Sequence, residues 1–167
     1  IISCADLRVF VGNAIVASED RSFYNNKGID TIGIARAFYN NLTTGSRQGG
    51  STITQQYAER YYLGETTSYV GKLREAFLAV KIAQAQDKSQ VLCNYMNTIY
   101  LGRGAYGIQA AAKAYFGKDA KDLTLSEAAM LAGIIPAPSV WTPDVNPKQA
   151  EKRYKRVLNI MAEDGYI

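Results

Sequence analysis

The chain has 167 residues, 47% of them hydrophobic and 20% charged, with a formal net charge of +4, a pI near 9.0 and no histidine. This length suits one compact domain, residues 1–167, able to bury about two-thirds of its unfolded surface. Without histidine, any acid/base chemistry falls to carboxylates. No stretch approaches eighteen continuous apolar residues, so this piece does not itself span a membrane.

Apolar residues recur mostly at helical spacing, which predicts a mainly α fold. Leu7, Phe10, Val11, Ala14, Ile15 and Ala17 form a first stripe. Ile32, Ile34, Ala35, Phe38 and Leu42 form a second, behind a candidate N-cap at Asp30. Residues 45–50, rich in glycine, predict an exposed and mobile loop that leads into a polar row with Ser51 as N-cap. A strong helix is expected from Lys72 to Gln86 and another from Ser89 to Tyr100. Thr124 and Glu127 make a capping box ahead of the next helix, and Asn146-Pro147 opens a last one, ended by Gly165. Between those two, residues 136–143 with three prolines read as an extended segment.

Cys4 and Cys93 lie far apart among apolar neighbours, so they read as buried thiols, neither a metal-ligand pair nor a disulfide framework. No signal peptide is visible, and the start at Ile1 reads as a piece cut from something longer. The late run Lys148, Lys152, Arg153, Lys155 and Arg156 fits either an anionic partner or a solvated helix face.

Several motifs invite chemistry. Residues 102–107 match the letters of a dinucleotide fingerprint, with Glu127 twenty residues beyond. That fingerprint needs a preceding strand and a βαβ unit, whereas both flanks here look helical. A glycine-rich turn that leaves Arg103 free to reach a partner is the better reading. A nucleophilic serine is disfavoured, because there is no histidine and no serine has a lysine three residues on.

Glu19 ends its helix in a crowd of acidic, basic and aromatic groups, Glu19-Asp20-Arg21-Ser22-Phe23-Tyr24. It reads either as a base or as an exposed carboxylate paired with Arg21. Glu75, one turn after Lys72, is its natural partner or simply half of a surface salt bridge. Ser51, Thr52, Thr54, Gln55 and Gln56 offer hydroxyls and amides suited to sugar hydroxyls or phosphate oxygens, at a helix start that is itself anion-friendly.

The order of these motifs resembles the family 51 peptidoglycan glycosyltransferase domain of class A penicillin-binding proteins and monofunctional transglycosylases. The likeness runs over nearly the whole chain in five blocks: residues 19–28; Gly50-Ser51-Thr52-Ile53-Thr54-Gln55-Gln56; Lys72-Leu73-Arg74-Glu75; Lys88 to Val91 with Tyr95 to Asn97; and Arg153 to Leu158. Tyr100 to Gly107 is also specific to it.

The resemblance implies a lysozyme-like two-lobed helical domain, with a substrate cleft between a larger and a smaller, membrane-facing lobe. It implies polymerisation of lipid II into a growing glycan strand at the outer face of the cytoplasmic membrane, the anchor being a segment outside this chain. Glu19 would be the general base for the acceptor 4-hydroxyl, and Glu75 would assist at the pyrophosphate. Asp20, Arg21, Phe23, Gly50, Ser51, Thr52, Thr54, Gln55, Gln56, Lys72, Lys88, Asn97, Arg103 and Arg153 would bind substrate. No cofactor is implied as required, with a divalent cation (Mg2+ or Mn2+) at Glu75 left open. A covalently attached transpeptidase domain is an implied partner and nucleic acid is not.

The chain departs from the family pattern in ways that mostly remove cations. Asn26 replaces a histidine, Glu59 a lysine, Thr67 and Gly71 two arginines, Gln90 an acidic residue and Tyr154 an arginine. Arg21, Arg47, Arg60, Arg74 and Arg103 are candidates to compensate. Two other readings stand beside polymerisation: a lysozyme-like glycan cleaver, and a catalytically weak domain that binds lipid II.

Overall fold

The structure, a computed structural model, describes residues 1–43, 51–64 and 68–167. It is mainly α, as expected, and the described residues hold no strand beyond an isolated bridge between Tyr100 and Tyr106. Two compact units divide the chain: residues 1–21 with 92–167, and residues 22–91.

The first unit is built on α1 (Val9–Glu19), α7 (Leu125–Ile134) and α8 (Pro147–Glu163), which pack on one another. It also holds α6 (Ile108–Phe116) and most of α5 (Lys88–Thr98). Helix α1 is apolar nearly all round and buries Val11, Ala14, Ile15, Val16 and Ala17, the pattern of a central helix. Helix α7 opens on the predicted capping box: Thr124 Oγ1 accepts from Glu127 N at 3.2 Å, and Glu127 Oε1 from Thr124 N at 2.9 Å. Its Ala128, Ala129, Ala132 and Gly133 are small, and small residues let helices approach. A Cβ on Gly133 would lie 3.1 Å from the Arg153 backbone carbon, so α8 rides against this glycine. Asn146 caps α8 at Gln149 N, with Pro147 in its first turn, and Gly165 follows its end at φ 81°.

Two expectations for this unit fail. Cys4 and Cys93 are neither thiols nor fully buried: they form a disulfide that closes a sequence separation of 89 residues. Pairing across such a span depends on where α5 brings Cys93, which spacing alone does not reveal. Residues 136–143 are a string of turns rather than an extended segment. Ala137 N bonds Ile134 O, and Val140 N and Trp141 N both reach Ala137 O. Proline fixes φ at a value that turns also use.

The second unit contains α2 (Thr31–Thr43), α3 (Ile53–Ala58), a π-helical turn (Glu59–Leu63) and α4 (Tyr69–Ala85), with α3 packed on α4. Asp30 caps α2 as predicted, its Oδ1 accepting from Gly33 N at 2.9 Å. The N-cap of α3 is Thr52, not Ser51. Thr52 Oγ1 accepts from Gln55 N at 3.0 Å and Gln55 Oε1 from Thr52 N at 2.9 Å, a reciprocal box that Ser51 lacks the Gln spacing to make.

Gly28 lets the chain pass close to α4. Its φ is 95°, and a Cβ there would meet the Ala79 carbonyl oxygen at 2.4 Å. Gly28→Ala is therefore expected to cost about 1–3 kcal/mol from φ alone, plus the clash, measurable as a fall in thermal midpoint. Several large apolar side chains of α2 and α4 are nevertheless uncovered, Ile32 and Phe38 on α2 and Tyr69, Leu73 and Phe77 on α4, while Ala79 and Ile82 of α4 are buried. The predicted loop at 45–50, with Gly50 and Arg47, and also Thr67, lie outside the described residues.

Candidate active site

Glu19 is the last residue of α1, half-buried, and so stands at the negative end of that helix's dipole. Its neighbour Ser18 lies against the end of α7. The Ser18 hydroxyl, with a single proton, can donate to Ala132 O at 2.8 Å or to Glu19 Oε2 at 3.0 Å. Arg153 of α8 donates from Nε to Gly133 O at 2.8 Å and from NH2 to Ser18 Oγ at 3.4 Å, with its guanidinium 5.1 Å from the Trp141 ring centroid. Burial and the nearby Arg156 push Arg153 below the ordinary arginine pKa, while the Glu19 carboxylate pulls it up. A carboxylate at two converging helix C-termini is thus offset by the positive charge of half-buried Arg153. Asp20, next along, is itself buried.

Glu19 does not pair with Arg21 as an isolated surface pair would. Arg21 donates instead to the end of α8, from Nε to Asp164 Oδ2 at 3.1 Å, from NH2 to Asp164 Oδ1 at 2.6 Å and to Glu163 Oε2 at 3.2 Å. This two-pronged contact holds Asp164 below the usual carboxylate range and raises Arg21. For a depressed carboxylate, the stabilisation is complete above the unfolded value, 3.8, and is lost as pH falls through the folded value. Arg21, raised further from an already high value, changes nothing at accessible pH. Thermal unfolding followed from pH 6 to pH 2 should show wild type losing its advantage over Asp164→Asn below about pH 4, an advantage of no more than about 1 kcal/mol for so exposed a pair.

In the second unit, Glu75 is fully buried at 0% exposure while its partner Lys72 is 49% exposed. Lys72 Nζ lies 3.2 Å from Glu75 Oε2 and 3.6 Å from Glu59 Oε2. One ammonium therefore serves two carboxylates, and the pair is more than the surface salt bridge weighed from the sequence. Thr52 Oγ1 also donates to Gly28 O at 2.6 Å, tying α3 to the first motif. Gln55 is buried, with its amide oxygen inside the capping box, and Thr54 Oγ1 is buried with no hydrogen-bond partner. Ser51 and Gln56 are half-buried beside them. Lys88 donates to Asn26 Oδ1 at 3.1 Å and sits 4.7 Å from the centroid of the buried Phe23 ring. An open hollow of about 530 Å³ lined by Ser22, Asn25, Asn26, Lys27, Asp30 and Val80 adjoins Asn26.

Two candidate residues are committed elsewhere. Asn97 donates to Ile2 O at 3.2 Å and accepts from Ile2 N at 3.0 Å, clamping the N-terminal segment beside the disulfide. Arg103 is not free: it donates to Asp144 Oδ1 at 2.9 Å and Ala114 O at 3.2 Å, and its guanidinium stands 4.2 Å from the Tyr115 ring centroid.

Among the described residues, no three His, Cys, Asp or Glu side chains come together to hold a metal ion. The ammonium of Lys72 already stands beside Glu59 and Glu75. These donors do not fit a resident Mg2+ or Mn2+, which needs a near-octahedral oxygen set. Around Glu19 in the first unit, Ser18 and Gly133 make contacts that the sequence did not point to, and Arg156 stood only in the late basic run; around Lys72 in the second unit, Glu59 does the same.

The first unit thus holds a carboxylate at a helix end, and the second unit holds buried hydroxyls and amides and the ammonium groups of Lys72 and Lys88. The sequence matches the family described as Transglycosylase over residues 1–162. Penicillin-binding protein 1A of Neisseria lactamica is 50% identical over 156 residues, 93% of this chain and 20% of the relative. The protein of the same name from Aquifex aeolicus is 47% identical over 156 residues, 93% of this chain and 22% of that one. A crystal structure of penicillin-binding protein 1A from Haemophilus influenzae matches 99% of this chain and 15% of its own, at 26% identity and a TM-score of 0.53. The chain belongs to the transglycosylase family, at family level a peptidoglycan glycosyltransferase domain. It spans about a fifth of the length of these relatives.

Proposed function

We propose that this domain polymerises lipid II with inversion at the donor C1. The observation that carries the reading is the placement of Glu19, within hydrogen-bond reach of Ser18 and flanked by half-buried Arg153, in a chain of the transglycosylase family. The Glu19 carboxylate takes the proton of the acceptor 4-hydroxyl, the freed oxygen forms a bond to C1 from the face opposite the leaving group, and the C1–oxygen bond to undecaprenyl pyrophosphate breaks. The negative charge that builds on the departing pyrophosphate needs fixed cations, a role assigned to Lys72 and Lys88. Glu75, buried against Lys72, holds that ammonium in place.

Lipid-linked substrates call for a membrane surface. No helix of the described residues is long and apolar enough to cross a membrane. The second unit nevertheless exposes Ile32, Phe38 and Tyr39 on α2, Tyr61 and Tyr62 on the π turn, and Tyr69, Leu73 and Phe77 on α4. Exposed apolar residues in this number, with tyrosines suited to the headgroup level, support contact with the outer face of the cytoplasmic membrane. The disulfide supports an oxidising compartment. The greater length of the relatives leaves room for an anchor and a transpeptidase domain in the same polypeptide.

Incubation of the protein with lipid II tests the reading: long glycan strands and undecaprenyl pyrophosphate are expected. Shortening of preformed glycan would favour a lysozyme-like cleaver, and lipid II capture without polymer a binding domain. Glu59 makes a further difference measurable. Glu59→Lys removes the competing carboxylate from Lys72 and restores a cation, so KM for lipid II should fall about 3- to 10-fold, each such contact being partly solvated. Steady-state kinetics would show it.

A further inference from the structure

Helix α1 ends at Glu19, and its last carbonyls have no partner within the helix. One of them, Ser18 O, belongs to the peptide bond that leads into Glu19. It accepts from Arg156 NH1 at 3.3 Å. One turn earlier on α8, Arg153 NH2 reaches the hydroxyl of the same serine at 3.4 Å. Two arginines three residues apart therefore grip Ser18 at both its polar ends, and that serine's hydroxyl in turn lies 3.0 Å from Glu19 Oε2. Their closeness costs like-charge repulsion, which a surface helix would avoid by splaying the side chains. Tyr154, between them, turns the other way and donates to Ser126 Oγ at 3.2 Å. Helix α7 brings only carbonyls to this place, since its one ionisable residue, Glu127, is held by Lys118 at the opposite end.

We propose that Arg156 is a positioning residue for the general base: by holding the Ser18 carbonyl it fixes the last turn of α1 and so the aim of the Glu19 carboxylate. This rests on the reading of Glu19 as the base. Arg156 touches no substrate. It supplies at position 156 the second α8 cation that Tyr154 does not.

Wild type, R156Q, R156K and Y154R in the full-length protein, assayed for lipid II polymerisation, give the test. R156Q should lower kcat roughly 10- to 100-fold, the scale of a misplaced catalytic group, with KM within about 3-fold of wild type. R156K should recover part of the rate, and Y154R should leave it unchanged. In an E19Q background R156Q should add no further loss, because it acts through Glu19. The inference is overturned if R156Q keeps wild-type kcat, if its loss persists undiminished beside E19Q, or if kcat falls only in step with the thermal midpoint. Should R156Q fail to fold, R156K decides: a partial loss of kcat is expected there, and an unaltered kcat would also overturn the inference. A wild-type rate for E19Q alone would remove the base assignment and this inference together, whereas an inactive E19Q beside a fully active R156Q would remove this inference only.

Discussion

Glu19→Gln should lower the rate of lipid II polymerisation by about two to four orders of magnitude, the usual worth of a positioned general base. The amide is nearly the same shape and its oxygen can still accept from Ser18, so the hydrogen bond at 3.0 Å has a substitute and the end of α1 keeps its packing. What is lost is the capacity to take a proton, together with the negative charge facing Arg153. With no histidine anywhere in the chain, no nearby imidazole can stand in. Lipid II binding and the thermal midpoint should therefore stay close to wild type while kcat falls. A uniform loss of binding, activity and stability would instead mean that Glu19 serves the fold.

Removing the Cys4–Cys93 disulfide should be the most damaging change to stability. The bridge closes a loop that contains the whole second unit, residues 22–91, so its main effect is to restrict the unfolded chain. A separation of 89 residues corresponds to roughly 4–5 kcal/mol on the loop-closure account, and measured values for native disulfides run from about 2 to 5 kcal/mol. For a chain of 167 residues that is a fall of roughly 10 °C in the thermal midpoint. Cys4→Ser, Cys93→Ser and the double variant should fall alike, and a reductant should bring wild type to the same value. The Asn97 clamp on Ile2 would remain, so the N-terminal segment should loosen rather than detach. An unchanged midpoint under reduction would contradict this account.

The helices were legible because their signals are local. Apolar spacing places α1, α4 and α5, and the Asp30 cap, the Thr124–Glu127 box and Asn146-Pro147 mark where helices start. Where a cap depends on a reciprocal partner, the first hydroxyl in line misleads: Ser51 precedes the true cap, Thr52, whose Gln55 completes the box. Periodicity marks an apolar face but not what covers it, which is why Ile32 and Phe38 of α2 and Leu73 and Phe77 of α4 turn out exposed.

The site was legible as a set of residues and not as a geometry. Glu19, Lys72, Glu75 and Arg153 stand in recognisable blocks. Nothing in their spacing says that Glu75 is buried, that Arg21 is spent on Asp164 or that Arg103 is held by Asp144. Ser18 belongs to no block and Arg156 stands in the fifth without a role, and their contacts arise only where the ends of α1 and α7 meet the flank of α8. The disulfide and the Asn97 clamp are contacts between segments some ninety residues apart, set by tertiary packing.

A crystal structure of the protein with a non-reacting lipid II analogue in the acceptor position would reach the assignment of the base most directly. The sugar 4-hydroxyl oxygen should lie about 2.6–3.2 Å from a Glu19 carboxylate oxygen, or be joined to it by one water. An acceptor bound in a productive pose with another carboxylate at that distance, and Glu19 turned away, would contradict it.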